Sequence, residues 1–160
     1  MLNNFSKAAL AVLAMLLMCS CSLQIPADPE GTLDRISSGT LRVGVSHNPP
    51  WTAVQTGQEP AGREADLVRE FAANRGATIE WTAGGEESLM GRLEHGELDL
   101  VIGGLTKKSP WSDKAALTQP YAEERAPDGG KQEYVMAARM GENAFLRELE
   151  KFLLDRKEQG

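Results

Sequence analysis

Between Leu41 and Ile102 the apolar residues switch repeatedly between two spacings, and that switching narrows the fold more than any other feature of the chain. Leu41, Val43 and Val45 alternate with Arg42, Gly44 and Ser46, the two-residue period of a strand. Leu67, Val68, Phe71 and Ala72 then recur at helical spacing within residues 64–75, and Gly76 is placed to end that helix. Ile79 and Trp81 mark a second strand. Residues 86–95 read as a second helix, with Leu89, Met90 and Leu93 inward and Gly96 as its stop. The run 98–102 (LDLVI) is nearly unbroken apolar, as a strand covered on both faces requires. The order β-α-β-α-β predicts an α/β fold: a mostly parallel sheet flanked by helices and joined by right-handed crossovers.

Residues 32–38 predict a short helix closed by Gly39, and 47–62, rich in Pro, Gly, Gln and Thr, predict a loop. Further on, 116–118 read as a short extended piece and 133–138 as a strand. A last helix is expected over 142–156, with Phe145, Leu146, Leu149, Phe152 and Leu153 on one face. One domain over 32–160 is expected, with no internal repeat.

The first twenty residues obey a different chemistry. Lys7 is followed by an uncharged apolar run over 8–18, too short for the roughly 20 residues of a membrane-spanning helix. It reads as the core of a secretory signal peptide over 1–20. The run Met18-Cys19-Ser20-Cys21 resembles the lipobox of bacterial lipoproteins, and Ser20 before Cys21 makes Cys21 the expected lipid site. That resemblance implies a mature chain beginning at Cys21, a lipidated tether over 21–31 and a periplasmic, membrane-anchored location. Several acyl chains hold a protein to a bilayer stably where one does not. Ser22 resembles an outer-membrane sorting signal. No cysteine occurs after Cys21, so no disulfide is expected.

The formal net charge of −6 argues against nucleic acid as a partner, since that needs a basic face. The chain lacks H-E-x-x-H, C-x-x-C and G-x-S-x-G, so no metal, no cofactor and no catalytic role are expected. Glu86, Glu87, Asp99, Glu142, Glu148 and Glu150 read as solvated faces or caps. Glu64 and Asp66 read as first-turn acids favoured by a helix dipole.

Four runs carry a wider resemblance: LRVGVSHNPPW (41–51), GREADLVREFAANRG (62–76), LMGRLEHGELDLVIGGLT (89–106) and TQPY (118–121). In this order and spacing the chain resembles the family 3 solute-binding proteins, extracytoplasmic receptors of amino-acid-type ABC importers. The resemblance implies a periplasmic binding protein-like lobe, a small polar solute and an ABC permease as partner. It places ligand contacts at Thr106 and in the loop holding Asn48 and Trp51. Ligands of open α/β sheets gather beyond the carboxyl ends of strands. There Gly103 and Gly104 are expected to let backbone N–H groups approach a ligand, with Trp51 and Trp111 offering flat faces. The candidate site is therefore Asn48, Trp51, Gly104, Thr106 and Trp111.

Two departures shape the expectation. Trp111 stands where the family's amino-acid binders carry an Arg, leaving Lys107 and Lys108 as the nearby cations. The family's second lobe would have to lie between Tyr121 and the return strand, where only 122–133 (AEERAPDGGKQE) is found and is expected to be a loop. One βαβ unit alone takes about 30 residues, so the second lobe is absent. A single-lobe remnant or accessory protein-interaction module is therefore the second reading, and a small periplasmic lyase the third.

Overall fold

The computed structural model describes residues 28–126 and 129–159; the signal peptide, Cys21 and the tether up to residue 27 lie outside them. The elements are α1 (Thr32–Ile36), β1 (Thr40–Val45), α2 (Arg63–Arg75), β2 (Thr78–Ala83), α3 (Glu86–Glu94), β3 (Leu100–Thr106), β4 (Ala116–Leu117), β5 (Ala122–Arg125), β6 (Lys131–Ala138) and α4 (Asn143–Gln159). They form a six-stranded sheet in the order β2-β1-β3-β6-β4, with β5 also paired to β6.

β1 lies parallel to both β2 and β3, as the alternating periods require. Because β2 and β3 flank β1 on opposite sides, the two crossover helices pass over opposite faces of the sheet. Val68 and Phe71 of α2 pack with Leu41, Val43, Val45, Leu100 and Ile102, joined by Phe145 and Leu149 of α4. Leu89, Met90 and Leu93 of α3 cover the other face against Val101, Leu105 and Val135. β3 thus feeds both clusters, which explains its unbroken apolar run. Gly76 ends α2 in the left-handed conformation at φ 64°, the cap its position predicts.

The parallel expectation holds for β2, β1 and β3, while β6 runs antiparallel to β3, β4 and β5. Residues 122–133, expected as a loop, instead supply β5 and the start of β6. Their register runs from Ala122↔Tyr134 to Arg125↔Lys131. This ribbon is held by backbone pairing and a 2.8 Å Lys131–Glu123 ion pair, so no apolar alternation announces it. Ala126 N–H donates to Gly130 C=O at 2.8 Å and closes the turn. The chain reverses there, with no room for a second lobe.

The domain also begins earlier than Gly31. Asp28 Oδ1 accepts the backbone N–H groups of Ala144 (2.7 Å) and Phe145 (3.1 Å), capping α4. Glu142 in return accepts N–H from Glu30 (3.0 Å) and Thr32 (2.9 Å) at the start of α1. Residues 28–31, expected within the tether, are thereby part of the folded unit.

Candidate functional site

Strand order reverses between β1 and β3, so the loops leaving their carboxyl ends define the crevice where ligands of such sheets collect. Most of the polar groups there are already committed to the chain itself. Thr52 Oγ1 donates to Ser46 C=O (2.5 Å), and Asn48 N–H donates to Thr52 C=O (2.9 Å), folding the loop after β1 tightly. Asn48 is exposed, but its Nδ2 donates to Gly103 C=O at 2.8 Å and pins that loop to β3. Gly104 sits at φ 65°, where a Cβ would lie 2.5 Å from Asn48 Nδ2 and 2.9 Å from Trp51 Cδ1. Glycine is needed there for approach of the chain to itself, not for approach of a ligand.

The expectation for the backbone N–H groups of Gly103 and Gly104 is corrected by Glu64. Its carboxylate accepts both, at 2.7 and 2.9 Å, and accepts the Tyr121 hydroxyl as well. Glu64 is fully buried, and burial pushes its carboxyl above the ordinary range despite the opposing pull of Tyr121 and the two N–H groups. Burial and the Glu64 carboxylate together push the Tyr121 hydroxyl up. Glu64 is therefore an internal acceptor that ties α2 to the end of β3, and not a solvated first-turn acid.

Trp51 is likewise internal, at 3% exposure. Its ring lies 3.8 Å from the centroid of Tyr134 and meets Tyr121 edge-on at 6.1 Å, while the Arg63 guanidinium covers it at 4.6 Å. No flat face is left for a solute. Trp111 is half-buried against α3, and its Nε1 donates to the Glu86 carboxylate. Lys114 Nζ stands 5.9 Å from the Trp111 ring centroid.

Thr106 alone of the five candidates lines a cavity. It borders an open space of about 250 Å³ with Lys107, Lys108, Lys131, Gln132 and Glu133, between the end of β3 and the β5–β6 ribbon. Lys107 and Lys108 are exposed, and Lys107 N–H donates to Glu133 C=O at 2.9 Å, which fixes the corner. Three ammonium groups beside one carboxylate, a hydroxyl and an amide make this a cationic patch on an acidic chain. Such a patch holds carboxylates as point charges, without the fork of an arginine. Lys131 and Gln132 escape sequence reasoning because nothing in the pattern brings the ribbon beside β3.

At the opposite end of the sheet, Asp99 is fully buried between Arg35 and Arg42, not solvated. Glu142, 1% exposed, is also internal. Among the described residues no three His, Cys, Asp or Glu gather to hold a metal ion, and no helix is long and apolar enough to cross a membrane.

Residues 41–160 match the profile of the bacterial extracellular solute-binding proteins, family 3. The chain belongs to that family. Among solved structures, a Phe57Trp mutant of the arginine-bound domain 1 from TmArgBP is 26% identical, with a TM-score of 0.69. The match covers 79% of this chain and 98% of that one. The unliganded, open L-cystine solute receptor of Neisseria gonorrhoeae is 13% identical with a TM-score of 0.66, covering 81% and 92%, and shares the fold. Among curated relatives, the membrane-bound lytic murein transglycosylase F of Vibrio cholerae is 35% identical over 98 residues, 59% of this chain and 18% of the relative. That of Vibrio campbellii is 31% identical over 110 residues, 67% and 20%. The chain spans about a fifth of the length of these relatives. The family 3 domain seen here is thus one α/β lobe, located outside the cytoplasm as the family is.

Proposed function

We propose that this chain is a lipid-anchored, single-lobe solute-binding component that takes a small zwitterion into the cavity beside Thr106. The cavity itself carries the reading. Lys107, Lys108 and the Thr106 hydroxyl are placed for a carboxylate, with Glu133 across the cavity for an ammonium group. An amino-acid-like solute and delivery to an ABC permease follow from family membership. The arginine-bound domain 1 from TmArgBP supports the idea that one lobe suffices to hold a solute. Glu133 is the sole carboxylate among the described cavity residues, so an acid–base pair is missing and binding is favoured over catalysis.

Open to water on one side, the cavity buries only part of a solute, and an affinity of about 1 mM, or roughly 4 kcal/mol, is expected. Titrating glycine, glutamate and arginine while following amide shifts should move Thr106, Lys107 and Lys108 together. Replacing both Lys107 and Lys108 with Ala should weaken binding roughly three- to tenfold, since each exposed ion pair contributes up to about 1 kcal/mol. Shifts confined to other loops, or none with any solute, would overturn the site.

The likeness to the lytic murein transglycosylases supports a second reading, in which the lobe serves cell-wall turnover as an accessory module. Sedimentation with purified murein sacculi, competed by no free amino acid, would favour it.

A further inference from the structure

We infer that the base of the sheet faces the bilayer that anchors the chain and that the Thr106 cavity opens away from it. The inference rests on the proposed lipid at Cys21, and it is carried by the way the tether enters the domain. Asp28 is bolted to the first turn of α4 through Ala144 and Phe145, and also accepts Leu33 N–H at 2.9 Å. Glu142, just before α4, holds Glu30 and Thr32 in return. The two carboxylates cap each other's helices across more than a hundred residues of sequence, so the entry point cannot swing.

That entry point lies at the base. Ala138, four residues before Glu142, pairs with Leu100, where β3 begins. Asp99 and its two arginines sit at the same level, and Arg139 stands 3.7 Å from Glu30. The cavity lies at the other end, where Thr106 pairs with Tyr134 and the ribbon continues to Arg125↔Lys131. At about 3.3 Å per residue, β3 rises roughly 20 Å and the ribbon beyond it about 10 Å more. Seven Cα–Cα steps separate Cys21 from Asp28, at most about 25 Å of chain even if drawn straight. A lipid at Cys21 therefore cannot bring the cavity rim against its own bilayer. Met140, apolar and 49% exposed, lies at the base beside the clamp, where a lipid surface would meet it.

The consequence concerns the partner. The cavity addresses the aqueous compartment and whatever lies across it, such as the cell wall or an opposite membrane, and not a channel in the anchoring bilayer. A permease able to receive solute from this chain would sit in the facing membrane.

The test uses the processed full chain in vesicles of phosphatidylethanolamine and phosphatidylglycerol doped with a nickel-chelating lipid. Spin labels are placed at Met140→Cys or Lys108→Cys. Relaxation by the surface nickel should be several-fold stronger at position 140 than at 108, and Asp28→Ala combined with Glu142→Gln should narrow that contrast. Equal or reversed relaxation in a chain shown by mass spectrometry to carry lipid overturns the orientation alone. A chain without lipid, or a Cys21→Ser variant that stays in the membrane fraction, overturns the anchor and the orientation with it.

Discussion

Replacing Asp99 with Asn should lower stability by about 2–3 kcal/mol at pH 7 and leave the cavity untouched. The carboxylate is fully buried and accepts five hydrogen bonds. Two come from Arg35, two from the Arg42 side chain and one from the Arg42 backbone N–H. Losing one member of a buried ion pair typically costs about 3–5 kcal/mol, because the partner charge is stranded. Here the Arg35 and Arg42 side chains keep 39% and 29% of their surface in water, so part of that cost is recovered, and the Asn carbonyl retains some of the bonds. For a domain of this size the loss corresponds to roughly 10 °C in Tm. Burial pulls the Asp99 carboxyl up, but the hydrogen bonds of Arg42 and Arg35 outweigh it and hold the group below its ordinary range. A depressed carboxylate stabilises fully above the unfolded value, near about 4, and that contribution fades as pH falls through the folded value. The gap between wild type and Asp99→Asn in urea unfolding should be full at pH 7 and shrink below pH 4. A gap under about 0.5 kcal/mol at pH 7, or one unchanged at pH 3, would refute the account of this cluster.

Glu64→Ala should cost about 3 kcal/mol or more, since it strands two buried N–H groups and the Tyr121 hydroxyl. Glu64→Gln should stay within about 1 kcal/mol, because an amide oxygen can take both glycine N–H groups. The raised Glu64 carboxyl means that the folded chain takes up a proton before the unfolded one does on acidification. Wild type should therefore gain on Glu64→Gln in urea titrations as pH falls from 7 toward 5. Gly104→Ala should destabilise by about 2 kcal/mol or more, whereas Gly57→Ala, also left-handed at φ 75° but with open space around it, should cost only the backbone part of about 1 kcal/mol. Equal losses in thermal melts would refute the close packing of Asn48 and Trp51 around Gly104.

The regular elements were legible because each rests on a local period. Leu41, Val43 and Val45 declare a strand, and Val68, Phe71 and Ala72 a helix, before any tertiary contact is known. The β5–β6 ribbon was not legible, because the Glu123–Lys131 pair and ladder bonds replace an apolar face. The buried acids failed for a related reason. Glu64, Asp99 and Glu142 find their donors 39, 57 and 110 residues away, as with Gly103 for Glu64, Arg42 for Asp99 and Thr32 for Glu142. Asp99 did carry a local signal: a carboxylate inside a run covered on both faces must be paired, and Arg42 waits on the adjacent strand. Thr106 was found through the resemblance, while Trp51 was misplaced because an indole in a loop reads the same whether it faces solute or core.

What Glu64 does to the strand end sets how one lobe of this kind can recognise anything. At the carboxyl edge of an open sheet, free backbone N–H groups are the strongest ready-made donors for an anion. In this chain the pair on Gly103 and Gly104 is spent internally, and Trp51 is roofed by Tyr134 and Arg63. Recognition is thereby displaced one step outward, to the Thr106 hydroxyl and to lysines whose long stems must be ordered each time a solute arrives. Ordering such side chains costs about 0.5–1.5 kcal/mol apiece, which lowers affinity without removing charge selectivity. The ribbon turns back at Ala126–Gly130, so no second lobe can close over the solute and report its arrival by hinge motion. Occupancy of the cavity can then be read only by a partner that touches the bound solute directly, through the side the ribbon leaves open.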